Sequence, residues 1–333
     1  MENPLPSLAT LPYDVLENIA DDLGVFGIRS LRAVCKRLRD FVDSTPLDAR
    51  IDQLRVAIKI KAVIVQWSSS GRRVETEYSQ CGETCYVSSQ EGRQVFRGHW
   101  NGHFGDMFLR HFELLFINNK IAMEKLEVSF EHFEKTHPIT EKLATLLSNG
   151  AHKMKTEHVE LNLCNPDEVF AVLTHVSPEV LETIGLDKYH QSFRKLVLSE
   201  MDMDRLVNLA QWKQAKNTIF SSPSKIWLSS SASFRHFRSY DHLCLNFKTV
   251  HLEDILFIKE MMTQENAILR GCHIYYHKFP EEKQFWKILG PEDRTLKDGY
   301  EWHVKISDDH GILLIDVPEQ TNHINFCRRS DIQ

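Results

Sequence analysis

The sequence holds no apolar run near the ~18 residues that a bilayer-spanning helix needs. Its opening segment, MENPLPSLAT, carries neither a basic stretch nor the apolar core of an export signal. A soluble, intracellular protein is therefore expected, cytoplasmic and/or nuclear, with no membrane partner. Cysteine is too scarce and too scattered for a disulfide framework. There are seven, an odd number, and Cys35, Cys164, Cys244 and Cys272 stand inside apolar segments, where a reduced thiol packs as a small hydrophobe. That usage fits a reducing compartment. Charge of one sign is not in large excess either: 46 acidic against 40 basic residues leave a net charge of −6, a balance that does not favour a dedicated nucleic-acid or membrane-surface binder. Also missing are Gly-x-Gly-x-x-Gly at a strand-to-helix turn, a Gly-Lys-Ser/Thr phosphate loop, a Gly-x-Ser-x-Gly elbow and His-Glu-x-x-His. No catalytic residue, cofactor site or metal site is expected from motifs, which leaves nucleotide binding or hydrolysis without a residue to name.

What the chain does have is length and an ordinary globular balance. Its 333 residues, 42% of them apolar and 26% charged, suffice for two or three folded units with sizeable cores.

The first fifty residues read as short amphipathic helices. Pro12 suits a first helical position and Asp14 meets the positive end of the helix dipole. Val15, Leu16, Ile19 and Leu23 then recur at helical spacing, while Glu17, Asn18, Asp21 and Asp22 take the other face. A second stripe runs through Ile28, Leu31, Val34, Cys35, Leu38, Phe41 and Val42, with Arg29, Arg32, Lys36, Arg37 and Arg39 turned away, until Ser44-Thr45-Pro46 stops it. Fifty residues of helix bury too little surface to stand alone, so a partner is expected.

Leu11-Pro12 followed by Val15-Leu16 and Ile19, then Leu31, Val34-Cys35-Lys36, Leu38 and Phe41, resembles an F-box. The resemblance implies docking to a Skp-type adaptor, and through it to cullin and RING subunits, by Leu11, Pro12, Val15, Leu16, Ile19, Leu31, Val34, Cys35, Leu38 and Phe41. The Gly24-Val25-Phe26-Gly27 bend departs from the family's usual apolar and acidic connection.

After Pro46 the pattern turns to strands: Val63 to Trp67, Val74 to Tyr78 and Cys85 to Val87, separated by Gly and Ser clusters, predict a small meander. A helix is expected from about Phe104 to Ile117. Strands and helices then alternate. Leu126–Phe130 precedes a helix around Glu141–Leu147, Val159–Leu163 precedes one around Glu168–His175, and Leu181–Leu186 precedes Met203–Ala215. Leu243–Phe247 precedes Leu252–Met262, Ile274–His277 precedes Phe285–Leu289, and final strands are expected at Glu301–Ile306 and Ile312–Val317. Alternation of this kind predicts parallel strands joined by right-handed crossovers. The expected fold is therefore α/β: a helical F-box over residues 1–50, a β-rich segment with one helix over 51–135, and irregular βα repeats over 136–333, whose spacing fits either an irregular solenoid or one wound α/β sheet, with a leucine-rich-repeat-like horseshoe preferred.

A second resemblance covers about residues 150 to 290. Leu181-Glu182-Thr183-Ile184, the block Leu209 to Lys216 with its Gln-Trp-Lys-x-Ala-Lys core, Phe234-Arg235-His236-Phe237 and Leu252-Glu253-Asp254-Ile255-Leu256 resemble the FTH domain that follows an F-box in a large nematode family. The resemblance implies recognition of a target protein, as a substrate receptor of an SCF-type ubiquitin ligase, and supplies no catalytic residue. The alternative is a non-ligase regulator that binds proteins through the same βα surface. Trp212 itself reads as a packing aromatic rather than a target contact.

Two smaller patterns stand apart. Cys81-x3-Cys85 with His99-x3-His103 falls within the spacing of a Cys2His2 zinc site, but Gly92, Gly98 and Gly102 interrupt the helix such a finger needs, at about 1 kcal/mol each relative to Ala. The basic-aromatic clusters Arg93 to Trp100 and Phe234 to Arg238 have the residue types that stack on single-stranded nucleic acid but lack a wider positive field. Loop and strand roles are expected for the first, and strand or helix ends for the second.

Overall fold

A computed structural model describes residues 8–21, 23, 25–45, 48–113, 120–131, 138–149, 153–188, 196–220, 226–228, 242–264, 267–291, 294–296, 299–307, 311–318 and 322–329. The chain divides into two compact units, Met1–Leu181 and Glu182–Gln333.

The first unit opens with a 3-10 turn, Leu8–Thr10, and three helices, α1 (Tyr13–Asp21), α2 (Val25–Val34) and α3 (Lys36–Ser44). The apolar stripe expected from Ile28 to Val42 is divided at Cys35, whose extended backbone (φ −157°, ψ 170°) ends α2 and starts α3. Helix α2 also begins earlier than the glycines of the bend suggest. Gly27 lies inside it, at a place where a Cβ would come within 2.8 Å of the Leu23 Cβ.

The meander is larger than its apolar runs predict: β1 (Asp48–Lys59), β2 (Ala62–Ser69), β3 (Arg72–Cys81), β4 (Thr84–Glu91) and β5 (Gln94–Asn101) pair antiparallel in sequence. Two-residue hairpins set the register. At Ser70-Gly71 both residues have positive φ (51° and 77°), the backbone of a type I′ turn whose twist suits the flanking strands. Helix α4 (Phe104–Phe112) follows, then β6 (Lys120–Glu131), α5 (Pro138–Asn149), β7 (Lys155–Leu163) and α6 (Asp167–Leu173). The expected helix to Ile117 is seen as far as Phe112, and its Leu115 and Phe116 fall outside the described residues.

Strand β6 lies between β1 and β7, parallel to both, with Leu126 opposite Leu54 and Val159. Along β2 every second residue is buried, Val63, Val65, Trp67 and Ser69, and these share a face with Val74, Tyr78, Cys85 and Val87. Phe104, Phe108 and Phe112 of α4 are buried as well, and the Phe108 ring packs edge-on against Tyr78. The opposite face of the parallel strands is polar and carries the ion pairs Arg55–Glu127 (3.2 Å), Lys59–Glu131 (3.5 Å) and Lys125–Glu160 (2.7 Å).

The second unit contains β8 (Thr183–Lys188), β9 (Leu196–Leu198), α7 (Glu200–Val207), α8 (Ala210–Gln214), β10 (Asn217–Phe220), β11 (Ile226–Leu228), β12 (His242–Thr249), α9 (Leu252–Thr263), β13 (Gly271–Lys278), α10 (Glu282–Leu289), β14 (Arg294–Leu296), β15 (Gly299–Ser307), β16 (Gly311–Pro318) and β17 (His323–Arg329). Strands β8, β10, β12 and β13 run parallel in that order, and β9 and β11 extend the parallel set beside β12. The helix expected over Met203–Ala215 is two helices. Ser199 and Asp202 close a capping box on α7, and the chain turns at Leu209 before α8.

Parallel βα pairing does not continue to the C-terminus. Beyond α10 the chain forms an antiparallel meander, β14–β15–β16–β17, and β17 returns antiparallel to β13. Its connections explain this: β15 to β16 and β16 to β17 are too short for a crossover, which parallel neighbours require. The core of this unit is built from Trp212, Leu245, Phe247, Ile258, Ile274, Phe285, Leu313, Ile315 and Phe326, all at most 2% exposed.

Candidate functional site

The N-terminal helices sort their apolar residues into two groups that periodicity alone does not separate. Leu16, Leu31, Leu38 and Phe41 are buried by the chain itself, at 0%, 4%, 0% and 1% exposure. Pro12, Val15 and Val34 face outward, with Val15 37% and Val34 63% exposed, while Leu11, Ile19 and Cys35 are half-buried. Of the ten residues expected to meet an adaptor, then, four form the internal core of the helices. Tyr13, 54% exposed, and Leu8, 44% exposed, add outward apolar surface that the sequence reading missed. Tyr13 directly follows the Leu-Pro pair, so its place at the head of α1 was a usable signal.

Polar contacts hold this arrangement. Arg32 Nε and Nη2 both donate to the Asp43 carboxylate, at 2.7 and 3.1 Å, and tie α2 to α3 through a bidentate pair. Arg37 Nη2 donates to the Leu11 carbonyl at 2.7 Å, fixing the segment before α1 against α3, and its guanidinium lies 5.4 Å from the Tyr13 ring centre. Tyr13 in turn stacks on Phe41 at 5.6 Å. The exposed residues are therefore presented on a braced scaffold.

The helices are also fastened to the sheet behind them. Phe26 of α2 stacks on Trp67 of β2 with ring centres 4.5 Å apart, and the Arg72 guanidinium of β3 sits 4.0 Å from the Phe26 ring on α2. Such contacts contribute roughly 0.5–1.5 kcal/mol for the aromatic pair and about 0.5–1 kcal/mol for the cation at exposed sites. Farther along, His111 of α4 shares a hydrogen bond with Tyr78 Oη at 3.1 Å, and its pKa is held below the ordinary imidazole value by burial, then by Arg110 and Arg32.

The blocks of the second resemblance serve the fold. Glu182 and Lys216, from two of its separate pieces, meet at 2.6 Å, and the Glu182 carbonyl accepts from the backbone N–H groups of Lys216 and Asn217. Trp212 is 2% exposed and Gln211 3% exposed, in agreement with the packing role read for Trp212. In the Leu252–Leu256 block, Asp254 accepts from the His251 backbone N–H at 2.8 Å and Ile255 is fully buried. The Phe234–Arg238 cluster lies outside the described residues.

The four candidate zinc ligands are not brought together. Cys81 ends β3 exposed, Cys85 points into the core from β4, His99 packs edge-on against Tyr86, and His103 caps α4 by accepting from the Gly105 N–H. Among the described residues no group of three or more His, Cys, Asp or Glu side chains is placed to hold a metal ion. Nor is any described helix long and apolar enough to cross a membrane.

Comparison with known families places two domains on this geometry. A model of the F-box domain matches residues 8–50, and a model of the FTH domain matches residues 137–292. The first coincides with α1 to α3, and the second runs from α5 to α10. No curated protein matches the chain.

Proposed function

We propose that this chain, which carries an F-box domain followed by an FTH domain, is the target-recognition subunit of an SCF-type ubiquitin ligase. The observation that carries the reading lies in the F-box helices. They complete their own core with Leu16, Leu31, Leu38 and Phe41 yet leave Leu8, Tyr13, Val15 and Val34 in solvent. A Skp-type adaptor is the partner that would cover this surface, with cullin and RING subunits beyond it.

In this reading the chain is not itself an enzyme. The F-box tethers it, the remainder holds a target protein, and a separate subunit modifies the target's lysines. The mechanism is proximity. Holding reactants together contributes at most about 7–11 kcal/mol in well-oriented systems and less in a jointed assembly. Within the second unit, the parallel strands β8–β10–β12–β13 with helices between them support a leucine-rich-repeat-like arrangement for target recognition. A cytoplasmic or nuclear setting accords with seven free thiols.

The test is binding of a purified Skp-type adaptor to the full chain and to its Val34→Asp variant. Tight binding by the first and weak binding by the second supports the reading, whereas no binding by the folded wild-type chain removes it.

A further inference from the structure

The β5 strand is a free edge of a kind that folded proteins ordinarily protect. Strand β6 is paired on both of its sides, with β1 and β7, so β5 has β4 alone. Among the described residues no strand covers its outer edge. Exposed edges are usually blunted by lysine, proline, a bulge or an inward charge, because they template pairing with another chain. Between Gln94 and Asn101 there is no lysine, no proline and no bulge in the register, Arg97 is the one charged side chain, and Val95, Phe96 and Trp100 are 49%, 56% and 40% exposed.

The hairpin fixes which backbone groups are open. Glu91 and Gln94 flank the two-residue turn Gly92-Arg93 and form the first bonded pair, so bonded pairs recur at Phe96, Gly98 and Trp100. The next position in the series, Gly102 N–H to the Glu83 carbonyl at 3.3 Å, agrees with this alternation. The N–H and C=O groups of Val95, Arg97 and His99 therefore point away from β4.

The two faces of the edge differ in chemistry. Phe96 and Trp100 share one face, where the Trp100 ring lies over Gly98 so closely that a Cβ at Gly98 would meet it at 2.2 Å. Val95, Arg97 and His99 share the other, and Arg93 lies in the adjoining turn. No acidic residue occurs from Arg93 to Gly105, and among the described residues neither Arg93 nor Arg97 has a carboxylate partner.

We infer that β5 is a docking edge for an extended segment of another protein, added as a sixth strand to the meander, with acidic side chains at alternate positions facing Arg97 and His99 and apolar ones facing Phe96 and Trp100. Backbone pairing supplies the attachment and the alternation supplies the selection. The strand lies outside both matched domains and acts independently of the F-box, so its test needs no adaptor.

The probe is a fluorescein-labelled heptapeptide alternating Glu and Val, compared with one alternating Lys and Val, titrated with the full chain by fluorescence anisotropy. The Glu peptide is expected to bind at least tenfold more tightly than the Lys peptide, and Arg97→Glu to reverse that preference. Val95→Pro, which removes an outward N–H and no bond to β4, is expected to weaken binding at least tenfold without lowering the melting temperature. Equal binding of both peptides, binding of neither, or full affinity in a folded Val95→Pro chain would overturn the inference. A dimer that dissociates in Val95→Pro and is not competed by the Glu peptide would overturn it too, by assigning the edge to a second copy of this chain.

Discussion

Replacing Val34 by aspartate tests whether the outward residues of the F-box helices form the proposed docking surface. With 63% of Val34 in solvent, its carboxylate variant remains hydrated in the free protein. The direct cost to folding is that of an exposed substitution, about 0.5 kcal/mol, plus roughly 0.3–1 kcal/mol because a negative charge at the last residue of α2 opposes the helix dipole. In the complex the accounting differs. Covering a valine contributes about 1.5–3 kcal/mol when burial is complete, so the exposed part of Val34 represents about 1–2 kcal/mol. An aspartate in its place forfeits this and adds the cost of removing an unpaired charge from water, which raises the expected loss to at least 3–4 kcal/mol, or roughly 100- to 1,000-fold in Kd. Leu16→Asp provides the contrast. Leu16 is fully buried, so a charge there unfolds the helices and abolishes binding for reasons unrelated to the interface. The assay is calorimetric titration of a Skp-type adaptor into each variant, with thermal melts by circular dichroism beside it. An unchanged adaptor affinity in a folded Val34→Asp chain would refute the assignment of this surface.

Three further outcomes concern the scaffold. Trp212→Ala should destabilise the second unit by about 3–5 kcal/mol, visible as a lower urea midpoint, whereas a tryptophan serving only as a target contact would leave the midpoint in place. Glu168, fully buried, accepts from the backbone N–H groups of Cys164 (2.7 Å) and Asn165 (3.1 Å) and from the Asn165 side chain (2.9 Å), so Glu168→Gln, which sets an amide donor among donors, should cost about 2 kcal/mol in chemical denaturation. His111 has a folded-state pKa below its unfolded value, so the unfolded chain binds the proton more readily. Its contribution to stability is present above pH ~6.5 and is lost as pH falls toward the lower folded-state value, and His111→Gln should reduce the drop in urea midpoint between about pH 7.5 and 5.5.

The parts of this fold that could be read from sequence are those in which one periodicity dominates. Val63, Val65 and Trp67 alternate cleanly, and β2 lies where that pattern put it. Strand β1 escaped notice because Ile51 and Leu54 are three apart before Leu54, Val56 and Ile58 fall into step, and Arg50, Asp52, Gln53 and Arg55 break the apolar run. Strand β5 escaped for another reason. It buries no side chain, so its sequence has no inward set to alternate, and Gly98 with its neighbouring histidines resembled a loop or a metal finger. In β17 the alternation of Ile324 and Phe326 was present and would have sufficed.

The candidate docking site was legible as a set of residue types but not as a surface. Helical spacing identifies an apolar stripe. Which members of that stripe the chain covers itself depends on how α1, α2 and α3 cross, and on Phe26 leaning on Trp67 across forty residues of sequence. Leu16 and Val34 therefore looked equivalent in the sequence, although one is fully buried and the other 63% exposed.

The most direct measurement of the central claim is a calorimetric titration of purified Skp-type adaptor into the folded 333-residue chain. The account predicts a saturable 1:1 complex with a negative heat-capacity change, the mark of the exposed apolar residues of α1 and α2 leaving water. A folded chain that gives no complex with the adaptor at any accessible concentration would contradict it.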